Sequence, residues 1–261
     1  MIFVFFVVAL LSSIVGSICG IGGGIIIKPV LDAFGLMSVS SISFLSSCTV
    51  LSMAIISVVK SFKNSSVKID FKISSKLAFG AALGGIIGKS LFEYIKVCVG
   101  NDNIVGFIQS VVLIIITLFT LIYTINKNKI NTYKFKNAFI CIIIGIFLGL
   151  ISVFLGIGGG PINLVILTFF FSFNTKNSAI NSIFIILFSQ ITSLMQTIIG
   201  NTIPDIDIMF LIVMVIGGVL GGNIGSRINK FISDDNVNKL FIILMIVIIL
   251  ININNAYKFL C

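Results

Sequence analysis

Gly20-Ile21-Gly22-Gly23-Gly24 interrupts the apolar run that opens the chain, and Gly156-Ile157-Gly158-Gly159-Gly160 interrupts another near its middle. Glycine is the poorest helix former after proline and enters backbone conformations closed to other residues. Four glycines in five positions therefore break a helix inside membrane-like sequence. The freed N–H and C=O groups find no partner in lipid, so such a break persists only where protein buries it or a cavity or ligand meets it. The apolar pieces that follow, residues 25–35 and Pro161 to Phe173, fall short of the ~20 residues that a bilayer crossing takes. Each reads as a half-helix or re-entrant segment.

The rest of the chain sets these breaks in a membrane. Hydrophobic residues make up 58% of the 261 and charged residues only 10%, with a mean hydropathy of +1.24. Long apolar runs recur from end to end, which gives an all-α polytopic membrane protein; the short alternating segments of a β-barrel are absent. Crossings are expected near residues 1–19, 39–59, 77–95, 104–126, 137–155, 178–199, 208–226 and 237–253, about eight in all. The opening Met1-Ile2-Phe3 lacks a basic n-region, so the first segment is expected to stay as a membrane helix.

The chain repeats itself. Gly20 maps onto Gly156, an offset of 136 (156 − 20), and the stretch Gly80 to Gly88 maps onto Gly217 to Gly225, an offset of 137 (217 − 80). Residues 1–126 and 137–255 thus read as two four-helix repeats, joined by a basic linker at 127–136, in a single membrane domain. If spans alternate, an even number per repeat makes the repeats parallel. Lys60, Lys63, Lys68, Lys72, Lys76, Lys127, Lys129, Lys134, Lys136 and Lys258 then share one side. Lys89, Lys96, Lys176, Arg227, Lys230 and Lys239 share the other. The positive-inside rule places the first side, with both termini, in the cytoplasm.

This distribution also accounts for the net charge of +9 without a nucleic-acid partner, because no basic domain stands outside the spans. The lipid bilayer is the partner that the composition demands, and a homo-oligomer remains compatible with it. The five cysteines form no CxxC pair and there is no histidine. No metal, cofactor or catalytic site is expected, because a membrane enzyme needs metal ligands, a nucleophile or a carboxylate pair in its spans.

Gly20, Gly22, Gly23 and Gly24, with Gly156, Gly158, Gly159 and Gly160, are the first candidate substrate-binding residues. A helix restarting after such a cluster offers unpaired N–H groups and a partial positive charge, which suits an anion. Close helix crossing is the competing use of small residues, and it is the expected one for the Gly80 and Gly217 stretches. Lys28 could draw an anion inward or snorkel to the interface. Ser46 on one span, and Ser182 and Gln190 on another, lie on polar stripes that either line a path or bond helices together. Carboxylates are nearly absent from the spans; Asp32 and Glu93 are the nearest candidates, and both could sit at an interface. Without buried acids for a coupling ion, export or uniport of an anion is favoured over cation-coupled uptake.

The two clusters, with Pro29-Val30-Leu31 after the first and Pro161 after the second, resemble the sulfite exporter TauE/SafE family of membrane permeases. Ala179-Ile180-Asn181-Ser182 and the Gly-x-x-Leu-Gly-Gly-x-Ile-Gly helices fit as well, and the likeness covers essentially the whole chain. The resemblance implies movement of small sulfur anions, sulfite or organosulfonates, and adds Pro29, Pro161 and Asn181 to the candidate site. The second repeat departs from the first in carrying Val165 opposite Pro29, and the first in carrying Ile25 opposite Pro161. The rival functions are a non-transport subunit that packs with a partner protein and a carrier for a different small solute.

Overall fold

The computed structural model describes residues 1–62 and 69–260, so Lys63 and Lys68 of the first basic loop, and Cys261, lie outside the described residues. Ten α-helices follow in order: α1 (Ile2–Cys19), α2 (Gly24–Phe34), α3 (Val39–Phe62), α4 (Phe71–Val99), α5 (Asp102–Asn126), α6 (Ala138–Phe154), α7 (Pro161–Phe171), α8 (Thr175–Ile199), α9 (Ile208–Phe231) and α10 (Asp234–Leu260). Six of them, α1, α3, α5, α8, α9 and α10, are long and apolar enough to cross a bilayer, and α6 and α7 are shorter apolar helices. The protein is a polytopic α-helical membrane protein. α4 is 29 residues long but carries Lys72, Lys76, Lys89, Glu93 and Lys96.

Contacts at the two ends of the bundle fix the direction of each helix. At one end, Phe5 of α1 packs with Leu31 of α2, Ile42 of α3 and Met214 of α9. Asn255 and Lys258 of α10 reach the Pro29 and Ala33 carbonyls there, at 2.8 and 2.7 Å. α1 therefore begins where α2 ends, and both termini lie at this end. At the other end, Leu77 of α4, Cys141 of α6, Leu167 and Phe171 of α7, and Ile185 of α8 form one cluster. Lys127, after α5, bonds Asn238 of α10 (3.0 Å) and Thr175 of α8 (3.3 Å) there.

The two halves are therefore inverted, not parallel. α1–α2 and α6–α7 are hairpins that enter from opposite ends and return to the end they came from. Each is followed by three helices that run the full thickness. The glycines that shorten α2 and α7 thus also change the parity of each half, and odd parity inverts the second copy.

The halves interlock. α4 packs along α6 and α8, and α9 packs along α1 and α3. A Cβ on Gly80 or Gly84 would strike the carbonyls of Ile142 and Ile146, and one on Gly88 would stand 2.5 Å from the Leu150 carbonyl. Gly221 and Gly225 repeat this against Leu10 and Ile14, with Cβ positions 2.6 and 2.5 Å from those carbonyls. Small residues here let backbones touch, which is how membrane helices associate when lipid removes the hydrophobic drive between them. Gly88→Leu should cost about 3 kcal/mol or more by overpacking against rigid backbone. The check is size-exclusion profile and melting temperature in detergent: the folded peak should be lost.

Candidate site at the two helix breaks

Five of the helices that start at the bundle ends are capped by side chains, whereas α1 is not. Asp70, Asn101, Asn137, Asn174 and Asp207 accept backbone N–H bonds at the starts of α4, α5, α6, α8 and α9. α2 and α7 start in the interior, at Gly23 and Gly160, and no side chain caps either one. Ile26 and Asn163 donate to the Gly23 and Gly160 carbonyls, at 3.0 and 3.1 Å, and the N–H groups before them have no intrahelical acceptor. Pro161 is the first residue of α7, where a missing N–H costs nothing. Pro29 lies inside α2, where it cannot donate to the Ile25 carbonyl.

The two breaks meet each other. A Cβ on Gly22 would lie 3.3 Å from the Gly158 carbonyl oxygen, and one on Gly159 would lie 2.7 Å from that of Ile21. Gly24 backs onto the Ile157 carbonyl and stands 2.7 Å, by the same measure, from Ser46 Oγ. Gly22 and Gly158 have φ of +80° and +64°, which side chains rarely adopt. Val50, halfway along α3, packs on both, and Ile186, halfway along α8, packs on Gly159. The junction is thus at mid-depth, all of Gly20 to Gly24 and Gly156 to Gly160 is buried, and α2 and α7 leave it in opposite directions with their N-termini facing inward.

Buried polar atoms without partners surround this junction and the helices that hold it. Ser46 Oγ and its counterpart Ser182 Oγ, Ser13 Oγ, Ser43 Oγ, and both side-chain polar atoms of Asn163 and Gln190 are unbonded. Orphaned buried polar groups are rare in folded proteins, and a ligand or water is the usual reason for them. Ser13, Ser43 and Asn163 were not singled out from the sequence; Asn163, an amide two residues past Pro161 in an apolar half-helix, was the legible one. Asn181 stands apart from this set. Its Oδ1 accepts from Asp70 N at 2.9 Å and Ser74 Oγ at 2.5 Å, which ties the start of α4 to α8.

Lys28 neither snorkels nor stands free. Its Nζ pairs with Asp32 Oδ2 at 2.7 Å, and both side chains are buried, at 3% and 4% exposure. Asp32 is therefore buried within the bundle, toward the end that holds the termini, and the lysine four residues earlier supplies the partner that lets a carboxylate stay buried there. Glu93 does remain part-exposed, paired with Lys89 at 2.7 Å.

A cavity of about 480 Å³ leads from the end that holds the termini to this region. Ser47, Lys89 and Ser193 lie at its deep end, Ser43, Gly156 and Thr197 along its walls, and Lys96, Gly100 and Pro204 at its mouth. The inverted counterparts of Gly156, Ser47 and Ser193 are Gly20, Ile183 and Ser57. That region is nearly closed: Ser57 and Ile183 border a slot of about 30 Å³, sealed by Ser17–Ser57 (2.9 Å), Ser17–Ser226 (3.1 Å) and Asn229 to the Ile18 carbonyl (2.7 Å).

Comparison with known proteins agrees with this architecture. The family model for the sulfite exporter TauE/SafE matches residues 5–251. The probable membrane transporter protein YunE of Bacillus subtilis (strain 168) is 26% identical, over 97% of this chain and 96% of its own. A probable membrane transporter protein of Methanocaldococcus jannaschii is also 26% identical, over 87% of this chain and 86% of its own. No solved structure gives a significant match.

Proposed function

The chain belongs to the sulfite exporter TauE/SafE family of membrane transporters, and from that premise we propose that it carries small anions by alternating access at the two glycine breaks. Sulfite and organosulfonates are the first candidates, with export the direction that the family description carries. The observation behind this reading is the pair of uncapped half-helix N-termini that converge at mid-depth among orphaned polar groups. Inverted repeats with broken helices at the midplane are a recurring transporter design, in which the N-terminal ends of the half-helices hold anionic groups. The wide cavity at one end and the sealed slot at its inverted counterpart fit one of two mirror-related states. A subunit that only packs with a partner protein has no use for such an interior. Reconstituted protein should exchange labelled methanesulfonate for sulfite or thiosulfate at saturable rates. Absence of saturable exchange with any sulfur anion would contradict the proposal.

The hairpins also change the topology argument. Counting eight long spans as crossings, residues 1–19 and 137–155 among them, placed the termini in the cytoplasm, but α1–α2 returns to its starting end. With the observed directions, Lys60, Lys72, Lys76, Lys127, Lys129, Lys134, Lys136, Lys176, Arg227, Lys230 and Lys239 all fall at the end opposite the termini. Among the described residues, leaving aside the buried Lys28, only Lys89, Lys96 and Lys258 fall toward the termini end. The positive-inside rule then puts the basic end in the cytoplasm and both termini outside. Cys98, exposed near the end of α4, should react with a membrane-impermeant maleimide on intact cells in a Cys261→Ser background, and a cysteine at Lys134 should not. The reverse labelling pattern would restore the cytoplasmic termini.

A further inference from the structure

The Lys28–Asp32 pair has no counterpart in the second half. The equivalent positions hold Leu164 and Thr168, and Thr168 Oγ1 merely donates to the Leu164 carbonyl at 2.8 Å. A charge pair is costly to bury, and a use in one half only points to the solute. The pair lies behind a wall of the large cavity: Lys28 Cε is 3.4 Å from the Cβ position of Gly156, and Gly156 lines the cavity beside Ser43. The pair is also incomplete, because Asp32 Oδ1 is buried with no partner. The second carboxylate oxygen is thus a buried acceptor left open to a proton.

Few other charges face it. α1 carries no charged side chain, only the buried thiol of Cys19, and α3 offers the thiol of Cys48 and no charge before Lys60. From α10 the nearby titratable groups are Tyr257 and Lys258, the latter bonded to the Ala33 carbonyl. Across the cavity stand Lys89, Glu93 and Lys96 of α4. Lys89 and Lys96 thus line the cavity itself, Lys28 is the buried cation behind its Gly156 wall, and Asp32 is the standing counter-charge of Lys28.

Resting on the anion-transport reading, we infer that Asp32 carries a proton alongside each anion. In the empty protein Lys28 ammonium pairs with Asp32 carboxylate. An entering monovalent anion replaces Asp32 on Lys28, and a proton from the same aqueous side adds to the carboxylate as its pair breaks. Both states are then neutral at the buried site, whereas an anion without the proton would leave one carboxylate unpaired in a low-dielectric interior. On the far side anion and proton leave together and the Lys28–Asp32 pair re-forms. Transport of a monovalent anion is electroneutral on this scheme. Its direction follows the product of the anion and proton gradients, in place of the potential-driven exit that a carboxylate-free interior would give. Export then requires a cytoplasmic anion concentration high enough to overcome an inward proton gradient.

Methanesulfonate tests this well, because it is fully ionised and any proton that moves with it belongs to the protein. In proteoliposomes carrying an internal pH dye, wild-type uptake of labelled methanesulfonate should acidify the lumen one proton per anion. An outside pH one unit lower should raise accumulation about tenfold, the ratio that one unit of proton gradient supports. Asp32→Asn should lose net uptake by at least about tenfold while exchange of internal for external methanesulfonate stays within about twofold, since only the empty return leaves Lys28 unpaired. The wild-type dye measurement stands even if that variant fails to fold, and Lys28→Met with Asp32→Leu, neutral in every state, should move no proton. Uptake without acidification, following an imposed potential, would overturn the inference and leave anion transport intact. Equal net uptake by Asp32→Asn and wild type would also overturn it. No methanesulfonate movement, with no movement of thiosulfate or sulfite either, would instead remove the transport reading on which it rests.

Discussion

Gly160→Val should abolish transport in a protein that remains folded. Residue 160 is the N-cap of α7 with φ of −176°, an extended conformation that a β-branched residue adopts freely. A Cβ there meets only Ile157 Cδ1, at 3.4 Å, so the backbone has room for it. What the branched side chain would occupy is the approach to the free N–H groups at the start of α7. The expected loss of flux is ~100-fold, comparable to removing a positioned backbone-donor site elsewhere, with the melting temperature shifted by no more than ~2 °C, as for a substitution that clashes with nothing. Flux and thermal unfolding measured on the same preparation check it. Gly22→Val is the contrasting case: φ is +80° and the Gly158 carbonyl lies 3.3 Å from the new Cβ, so fold and flux should fail together. Unimpaired flux in Gly160→Val would mean that the solute does not use the α7 terminus.

Ser46→Ala with Ser182→Ala should stabilise the protein and impair it. Both hydroxyls are fully buried and bonded to nothing, and Ser46 Oγ lies beside Gly24 at the junction. An unsatisfied buried hydroxyl costs ~1–3 kcal/mol, which its removal returns. For a chain of this size that corresponds to roughly 2–4 °C per kcal/mol. A site that holds an anion with these hydroxyls would lose them as ligands, and flux should fall by ~10-fold or more, about what one or two lost hydrogen bonds to a charged group amount to. The opposing signs separate a ligand role from a structural one. If the hydroxyls bonded helices together, the double variant would melt lower, with flux reduced only in proportion to the folded protein.

The class of fold was legible because glycine clusters and long apolar runs act locally, residue by residue. The doubled Gly20 and Gly156 clusters marked where two helices break, and the repeat spacing marked two related halves. Orientation was not legible, because it depends on whether Gly24 to Phe34 continues through the membrane or turns back. Nothing in the composition of that segment decides this; Leu31 packing with Phe5 does. The same fold-back brought Lys89 and Lys176 to opposite ends although alternation put them together. Within the site, Ser46, Ser182 and Gln190 could be picked as polar residues on apolar helices. Asn181 looked the same in sequence but is bonded to the start of α4, and that partner is 107 residues away in Ser74. Asp32 was visible four residues after Lys28, yet their joint burial is a tertiary fact: it requires α10 and α3 to close over α2.

The most direct measurement is the position of a bound anion. Crystals grown or soaked with selenite or selenate, measured at the selenium edge, would report it by anomalous scattering. The expected peak lies where the two breaks meet, within ~3 Å of backbone N–H groups at the starts of α2 and α7, with Ser46 and Ser182 beside it. Anomalous density confined to the lysines of the basic end, with the junction closed to solute, would contradict the account.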